Sequence, residues 1–95
     1  MVEIEALIKL YAGETLRQTP FTSGYRPLFC FTEETGTSGR ITLTGRDSFF
    51  PGEKGIVRIA FLNKQYLGDD FGVGAKFHFG EGREPLGEGE VISIF

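Results

Sequence analysis

Hydrophobic and polar residues alternate along most of this chain, a pattern that indicates half-buried β-strands. In the first ten residues, Leu7 is the one departure from an alternation in which every second side chain, from Val2 to Leu10, is apolar. Further alternating or short apolar runs follow, separated by residues that favour turns. The pattern predicts six strands, over residues 2–10, 28–32, 39–44, 56–62, 75–79 and 86–95.

Loops and turns fill the spaces between these segments. Residues 12–24 and 63–74 are rich in Gly, Pro, Asp or small polar residues and are expected to be loops. Pro51-Gly52 fits the central pair of a type II turn. Because no segment has a helical period, and because closure removes exposed sheet edges, we expect an all-β fold, an antiparallel barrel or sandwich.

Composition agrees with one small β-domain. The chain has 95 residues, of which 14 are Gly and 10 are Phe, a balance typical of short strands joined by tight turns. Ten basic and 13 acidic residues give a net charge of −3. A free-standing nucleic-acid binder usually has a basic excess, so this balance weighs against DNA or RNA as the main partner.

Several other classes are disfavoured by simple features. No apolar run approaches the roughly 20 residues of a membrane helix, and the N-terminus lacks the order of a signal peptide, so we expect a cytoplasmic protein. A single cysteine, Cys30, and a single histidine, His78, form neither an internal disulfide nor a structural zinc site. Cys30 is expected to be buried and inert, and His78 to point outward without a catalytic partner. No cofactor is expected.

The motifs occur in an order that resembles the third domain of the elongation factor Tu family. The matching residues are Thr19-Pro20-Phe21, Gly24-Tyr25-Arg26-Pro27, Phe29, Phe31, Pro51-Gly52, Phe77, Phe79, Glu81-Gly82, Leu86, Gly87, Gly89 and the strand 91–95. The resemblance covers essentially the whole chain and implies a closed six-stranded antiparallel β-barrel. The phosphate-binding loop of the family's first domain is absent, so we expect a stand-alone binding module and not an enzyme.

In that family the third domain packs on the nucleotide domain and contacts the T-stem of tRNA. The resemblance carries the RNA contacts over to Arg17, Arg26, Lys64, Glu81 and Gly82. Residues 83–85, Arg-Glu-Pro, replace the family's Gly-Arg-Thr, which moves a positive charge and adds a negative one beside the RNA path. Tyr25 and Arg26 also have a structural interpretation, with the tyrosine ring on the barrel end and the arginine paired with Glu33 or Glu81.

Exposed aromatic residues near turns are the candidates for protein contact. They are Phe49, Phe50, Tyr66 and Phe71; of the adjacent Phe49 and Phe50, one should point outward. Asp69-Asp70 lacks the spacing of a metal loop and is interpreted as solvated charge. The preferred hypothesis is docking on a protein, either a nucleotide-binding protein or a translation factor. T-stem-type tRNA binding is the alternative, and a small hydrolase or metal site is a third hypothesis with little support.

Overall fold

Six antiparallel strands close into a barrel in the computed structural model of this protein, in agreement with the all-β prediction. The structure describes residues 1–13, 16–33, 36–82 and 84–95. Around the barrel the strand order is β1-β4-β3-β2-β5-β6, and β6 pairs with β1 to close it. The strands are β1 (Val2–Leu10), β2 (Leu28–Cys30), β3 (Thr37–Leu43), β4 (Lys54–Phe61), β5 (Lys76–Gly80) and β6 (Gly87–Ile94).

The strand bounds differ from the prediction at a few ends. β3 starts at Thr37, before the predicted residue 39, because this polar side chain is buried and pairs with Phe29 of β2. β2 ends at Cys30, short of the predicted residue 32. Gly52 has φ of 89°, as the third position of a type II turn requires. The loop after β4 contains a 3-10 turn, Lys64–Tyr66, too short to leave a helical period in the sequence.

The core lies inside the barrel and is dominated by phenylalanine. Phe29 is fully buried and packs edge-on against Phe61 and Phe77, with ring centroids 5.2 and 5.7 Å apart. Glycines on β6 make room for such rings: a Cβ placed on Gly87 would lie 2.3 Å from Phe79 Cζ. Part of the high content of Phe and Gly therefore has a common cause, since rings on one strand occupy space that Gly39, Gly87 and Gly89 leave on the next.

The barrel has two ends, named here by the residues of β1 that lie there. The Leu10 end is where β1 and β5 finish and β4 begins, and the Val2 end is where β1 and β5 begin and β4 finishes. The β1–β6 ladder has a bulge opposite Glu5 and Ala6, which adds Ile92 between the paired positions of β6. In the described part of the chain, no helix has the length and apolarity needed to cross a membrane.

Candidate functional site

A continuous stack of side chains covers the Leu10 end of the barrel. The Phe21 ring lies between those of Tyr25 and Phe49, with centroid distances of 4.6 and 5.3 Å. Arg17 Cζ lies 4.8 Å from the centroid of the Tyr25 ring, and Arg46 Cζ lies 4.6 Å from that of Phe49. The stack is therefore three aromatic rings with a guanidinium on each outer face, an arrangement that cation–π attraction stabilises.

Glu81 holds one end of this stack. Arg17 Nη1 donates to Glu81 Oε2 at 2.5 Å, and the Tyr25 hydroxyl donates to the same oxygen. Burial, reinforced by the hydrogen bond to this carboxylate, holds the pKa of Tyr25 well above its ordinary value. The ring of Tyr25 does lie on the barrel end, as expected, but among the described residues Arg26 forms an ion pair with neither Glu33 nor Glu81. That predicted pairing is wrong: Arg17 is the partner of Glu81, and Arg26 is exposed on the outer wall.

Glu53 holds the other end. Its Oε1 atom lies 2.5 Å from Arg46 Nη2 and accepts a hydrogen bond from the Phe50 N–H at 2.7 Å. The backbone hydrogen bond and the guanidinium together hold the pKa of Glu53 below its ordinary value. The Pro51-Gly52 turn is thereby tied to the stack, since Glu53 follows this turn directly.

The residues proposed to contact RNA do not form one surface. Arg17 and Glu81 are bound to each other at the Leu10 end, and Gly82 follows them there. Lys64 lies in the 3-10 turn after β4, at the Val2 end. Arg26 is exposed on the outer wall before β2. The altered position at Arg83 lies outside the described residues.

The aromatic candidates for protein contact do not lie on one surface either. Phe49 is fully buried, so its prediction as a surface contact is wrong; its backbone bridges Phe21 and its ring joins the stack. Phe50 is 52% exposed, as expected for the neighbour of an inward residue. Tyr66 is exposed at the opposite end. Phe71 is half-buried against Phe31, with centroids 5.2 Å apart, and belongs to the margin of the core rather than to an open surface.

A shallow cleft of about 440 Å³ lies on the outer wall beside β2 and β5. Cys30 and His78, which both line it, are direct partners in the β2–β5 ladder. Cys30 is half-buried and not enclosed as predicted, because Phe29 takes the inward position and alternation turns the next side chain outward. His78 is exposed as expected, but the sequence had suggested no cysteine partner for it, and the strand register provides one.

The described residues of the cleft include no metal-binding set. Among the described residues, no three His, Cys, Asp or Glu side chains come together to hold a metal ion. Asp69 and Asp70 are exposed in the loop between β4 and β5, beside a smaller recess of about 140 Å³. A thiol next to an imidazole is a nucleophile next to a base, but the cleft wall is formed largely by apolar and acidic residues. Cys30 and His78 are therefore neighbouring positions on the outer wall of the barrel.

One group of exposed apolar side chains on the outer wall was not predicted from the sequence. Ile56 of β4 is 51% exposed and lies opposite Leu7 of β1, on the outer wall. Ile92, at the bulge of β6, is also exposed, and so is Phe95. The Phe95 ring lies under Arg58, with 4.2 Å between the guanidinium carbon and the ring centroid. We call these outward residues of β4, β1 and β6 the apolar face: Leu7, Ile56, Ile92 and Phe95.

The sequence does contain a signal for the apolar face. Leu7 interrupts the alternation of β1 on its polar side, and Ile56 shares the outer side of β4 with Arg58. Each departure looks minor in its own strand, and only the strand order β4-β1-β6 brings them together. No known protein-family model matches this chain.

Proposed function

We propose that this barrel is a non-enzymatic module that docks on a protein partner through the apolar face. The observation that carries the proposal is the cluster of outward apolar side chains on three adjacent strands. Ile56 and Phe95 expose 51% and 62% of their surface, although the barrel interior is already filled by other residues. Clustered exposed apolar side chains are typical of interaction sites, whereas single exposed apolar residues are common on any protein surface.

The surroundings of the apolar face suit a protein partner. Arg58 and Glu5 are direct partners in the β1–β4 ladder, between the Leu7–Ile56 pair and Phe95, and Arg58 lies over the Phe95 ring. Exposed apolar side chains interleaved with charged groups of both signs suit a non-obligate protein–protein interface, which as a whole is about as apolar as the rest of a protein surface. A polyanion such as RNA would meet acidic side chains beside the apolar ones, including Glu90 opposite Leu7.

The resemblance to the third domain of the elongation factor Tu family supports the class of partner. That domain is a six-stranded antiparallel barrel in its family, and this chain forms a closed barrel with the same number of strands. We propose as partner a nucleotide-binding protein or a translation factor. The T-stem alternative gains less support, because the ion pair between Arg17 and Glu81 neutralises one of its cations and Lys64 lies at the other end.

Paired substitutions test this proposal. We expect a tagged barrel to retain one protein partner after nuclease treatment of an extract, and Ile56→Glu or Ile92→Glu to abolish the retention. Leu28→Glu is the matched control, because Leu28 is 45% exposed on β2, which pairs with β3 and β5 and is not adjacent to β1, β4 or β6. The candidate partner is then purified, and its affinity for each variant is measured by calorimetry.

Three results would count against the proposal. Retention that disappears with nuclease would indicate RNA as the bridging ligand. Equal loss of affinity in the Leu28→Glu control would indicate a general effect of added charge. Sedimentation of the barrel alone as a dimer, converted to a monomer by Ile56→Glu, would show that a second copy of this chain covers the apolar face.

A further inference from the structure

Two arginines on the outer wall lie directly opposite each other. Tyr25 and Ile41 form an antiparallel bridge between the segment before β2 and strand β3. The next position in the same register sets Arg26 against Arg40, and both side chains are exposed. We call these two residues the arginine pair.

The backbone hydrogen bonds indicate that the two residues of the arginine pair are close neighbours across the strands. The Ile41 N–H donates to the Tyr25 carbonyl at 2.8 Å, and the Gly39 N–H donates to the Pro27 carbonyl at 3.5 Å. The arginine pair lies between these two bonds and is therefore a non-hydrogen-bonded pair. In such pairs the Cα atoms are only about 4.5 Å apart and the side chains are nearest to each other.

Within the described ranges, no acidic side chain forms an ion pair with either member of the arginine pair. Like charges directly opposite each other on a sheet are destabilising. Among the described residues the arginine pair forms no ion pair, whereas every other described arginine has a partner. These partnered residues are Arg17 with Glu81, Arg46 with Glu53, and Arg58 with the ring of Phe95.

A small recess adjoins the arginine pair. It has a volume of about 120 Å³, and Ser38 contributes a hydroxyl group to its wall. Ala60 lies opposite Arg40 on the β4 side, and its methyl group leaves the space between the strands open. Leu62 closes the recess toward the Val2 end. The recess has room for one small group and not for a nucleotide.

We propose that the arginine pair binds a single phosphate group, as inorganic phosphate or as a phosphomonoester on a protein side chain. Guanidinium groups form bidentate, charge-assisted hydrogen bonds with phosphate oxygens, so two guanidinium groups on opposite strands can bind one tetrahedral anion from both sides. The Ser38 hydroxyl adds a neutral donor. Phosphate binding would remove the repulsion within the arginine pair. The inference stands independently of the apolar face.

The charges around the site favour one anion over a nucleic-acid strand. In the row of outward residues that contains Arg40, Ala60 is followed by Glu3 of β1. A strand of RNA laid along this row would bring a phosphate close to that carboxylate. Nucleic-acid affinity requires several cations in succession, whereas a phosphomonoester requires only the local site.

Titration with inorganic phosphate at constant ionic strength, followed by ¹H–¹⁵N NMR, tests the inference. We expect saturable shifts at the amides of Ser38 and Arg40 and at the arginine Nε–H groups, with chloride as the reference anion. Arg26→Gln and Arg40→Gln should each weaken binding at least about tenfold. Lys64→Gln is the matched control, since it removes an exposed cation at the Val2 end and should leave the affinity unchanged.

Three further ligands distinguish the source of the phosphate. A phosphoserine peptide that binds more tightly than inorganic phosphate, while its unphosphorylated form does not bind, would identify a protein-borne group; the reverse order would identify the free ion. The inference would be overturned by shifts that do not saturate, by saturable shifts that persist in both arginine variants, or by tighter binding of single-stranded RNA through the same residues. The midpoint of thermal unfolding gives a second readout, because phosphate should raise it for the wild type and not for Arg40→Gln.

Discussion

Arg17 and Glu81 are 64 positions apart in the chain and form an ion pair of 2.5 Å at the Leu10 end of the barrel. Both are among the residues expected to contact RNA, and in the structure they contact each other. Their contact links the loop after β1 to the hairpin between β5 and β6. Because the Tyr25 hydroxyl joins the same carboxylate, the three side chains connect the outer end of the aromatic stack to that hairpin.

This arrangement makes stability depend on pH in the alkaline range. The pKa of Tyr25 is raised in the folded state, by burial first and by Glu81 second, and that of Tyr11 is raised to about 12, by burial and by Glu88. An unfolded tyrosine ionises near pH 10. The stabilisation is therefore complete below pH 10 and is lost as the pH rises through the folded pKa, with a slope of at most about 1.4 kcal/mol per pH unit for each tyrosine.

Urea denaturation between pH 8 and 11.5 measures how the unfolding free energy declines above pH 10. Tyr25→Phe should make the decline in unfolding free energy above pH 10 shallower, since one coupled proton is removed. Tyr66→Phe is the control, because Tyr66 is exposed at the other end of the barrel and should leave the slope as in the wild type. An identical slope in wild type and Tyr25→Phe would disprove the coupling.

Adjacent residues Phe49 and Phe50 should respond oppositely to truncation. Phe49 is fully buried between Phe21 and the guanidinium of Arg46, so Phe49→Ala should cost about 3–5 kcal/mol. Phe50 is 52% exposed, and Phe50→Ala should change the unfolding free energy by less than about 0.5 kcal/mol. Chemical denaturation of both variants checks the difference. Equal costs would mean that Phe50 also packs on the barrel end.

Gly87 should tolerate no side chain. A Cβ there would lie 2.3 Å from Phe79 Cζ and 2.5 Å from the Lys9 carbonyl oxygen. The ring has little room to move, and the carbonyl belongs to the β1–β6 ladder, so Gly87→Ala should cost at least about 2 kcal/mol. Gly82→Ala is the matched control, because a Cβ at Gly82 would have nothing within 4 Å. Thermal unfolding of both variants tests this prediction. Midpoints of unfolding that fell by the same amount in the two variants would contradict the packing argument.

Cys30 should react with thiol reagents in the folded protein. Its side chain is half-buried on the outer wall and lines the open cleft that also contains His78. We expect stoichiometric labelling by Ellman's reagent without denaturant, and Cys30→Ser to cost less than about 1 kcal/mol. A thiol that reacts only after addition of urea would show that the cleft is closed in solution.

The sequence alone could predict the strands, because each strand buries one face. Ile4, Ile8, Val57 and Ile59 all lie in the core on the side that alternation assigns to it. The same rule predicts that one of Phe49 and Phe50 is exposed but does not say which. That choice depends on the bridge to Phe21, a contact between distant segments.

The sites were less accessible to sequence analysis for the same reason. The ion pair of Arg17, the proximity of Cys30 to His78 and the opposition of Arg26 to Arg40 all depend on register between strands far apart in sequence. Alternation fixes which face a side chain occupies but not which neighbour it meets across the sheet. Residue type therefore identified the candidate groups, and only barrel closure determined their partners.

Closure also limits the ways in which another chain can join this one. Every described strand has a neighbour on both sides, so no row of backbone donors and acceptors is open to an incoming peptide. Recognition by strand addition would require β2, only three residues long, to separate from β3 or β5. A partner must instead contact side chains on the outer wall or at the loop ends. Binding specificity can therefore change through surface substitutions that leave the backbone hydrogen bonds of the barrel intact.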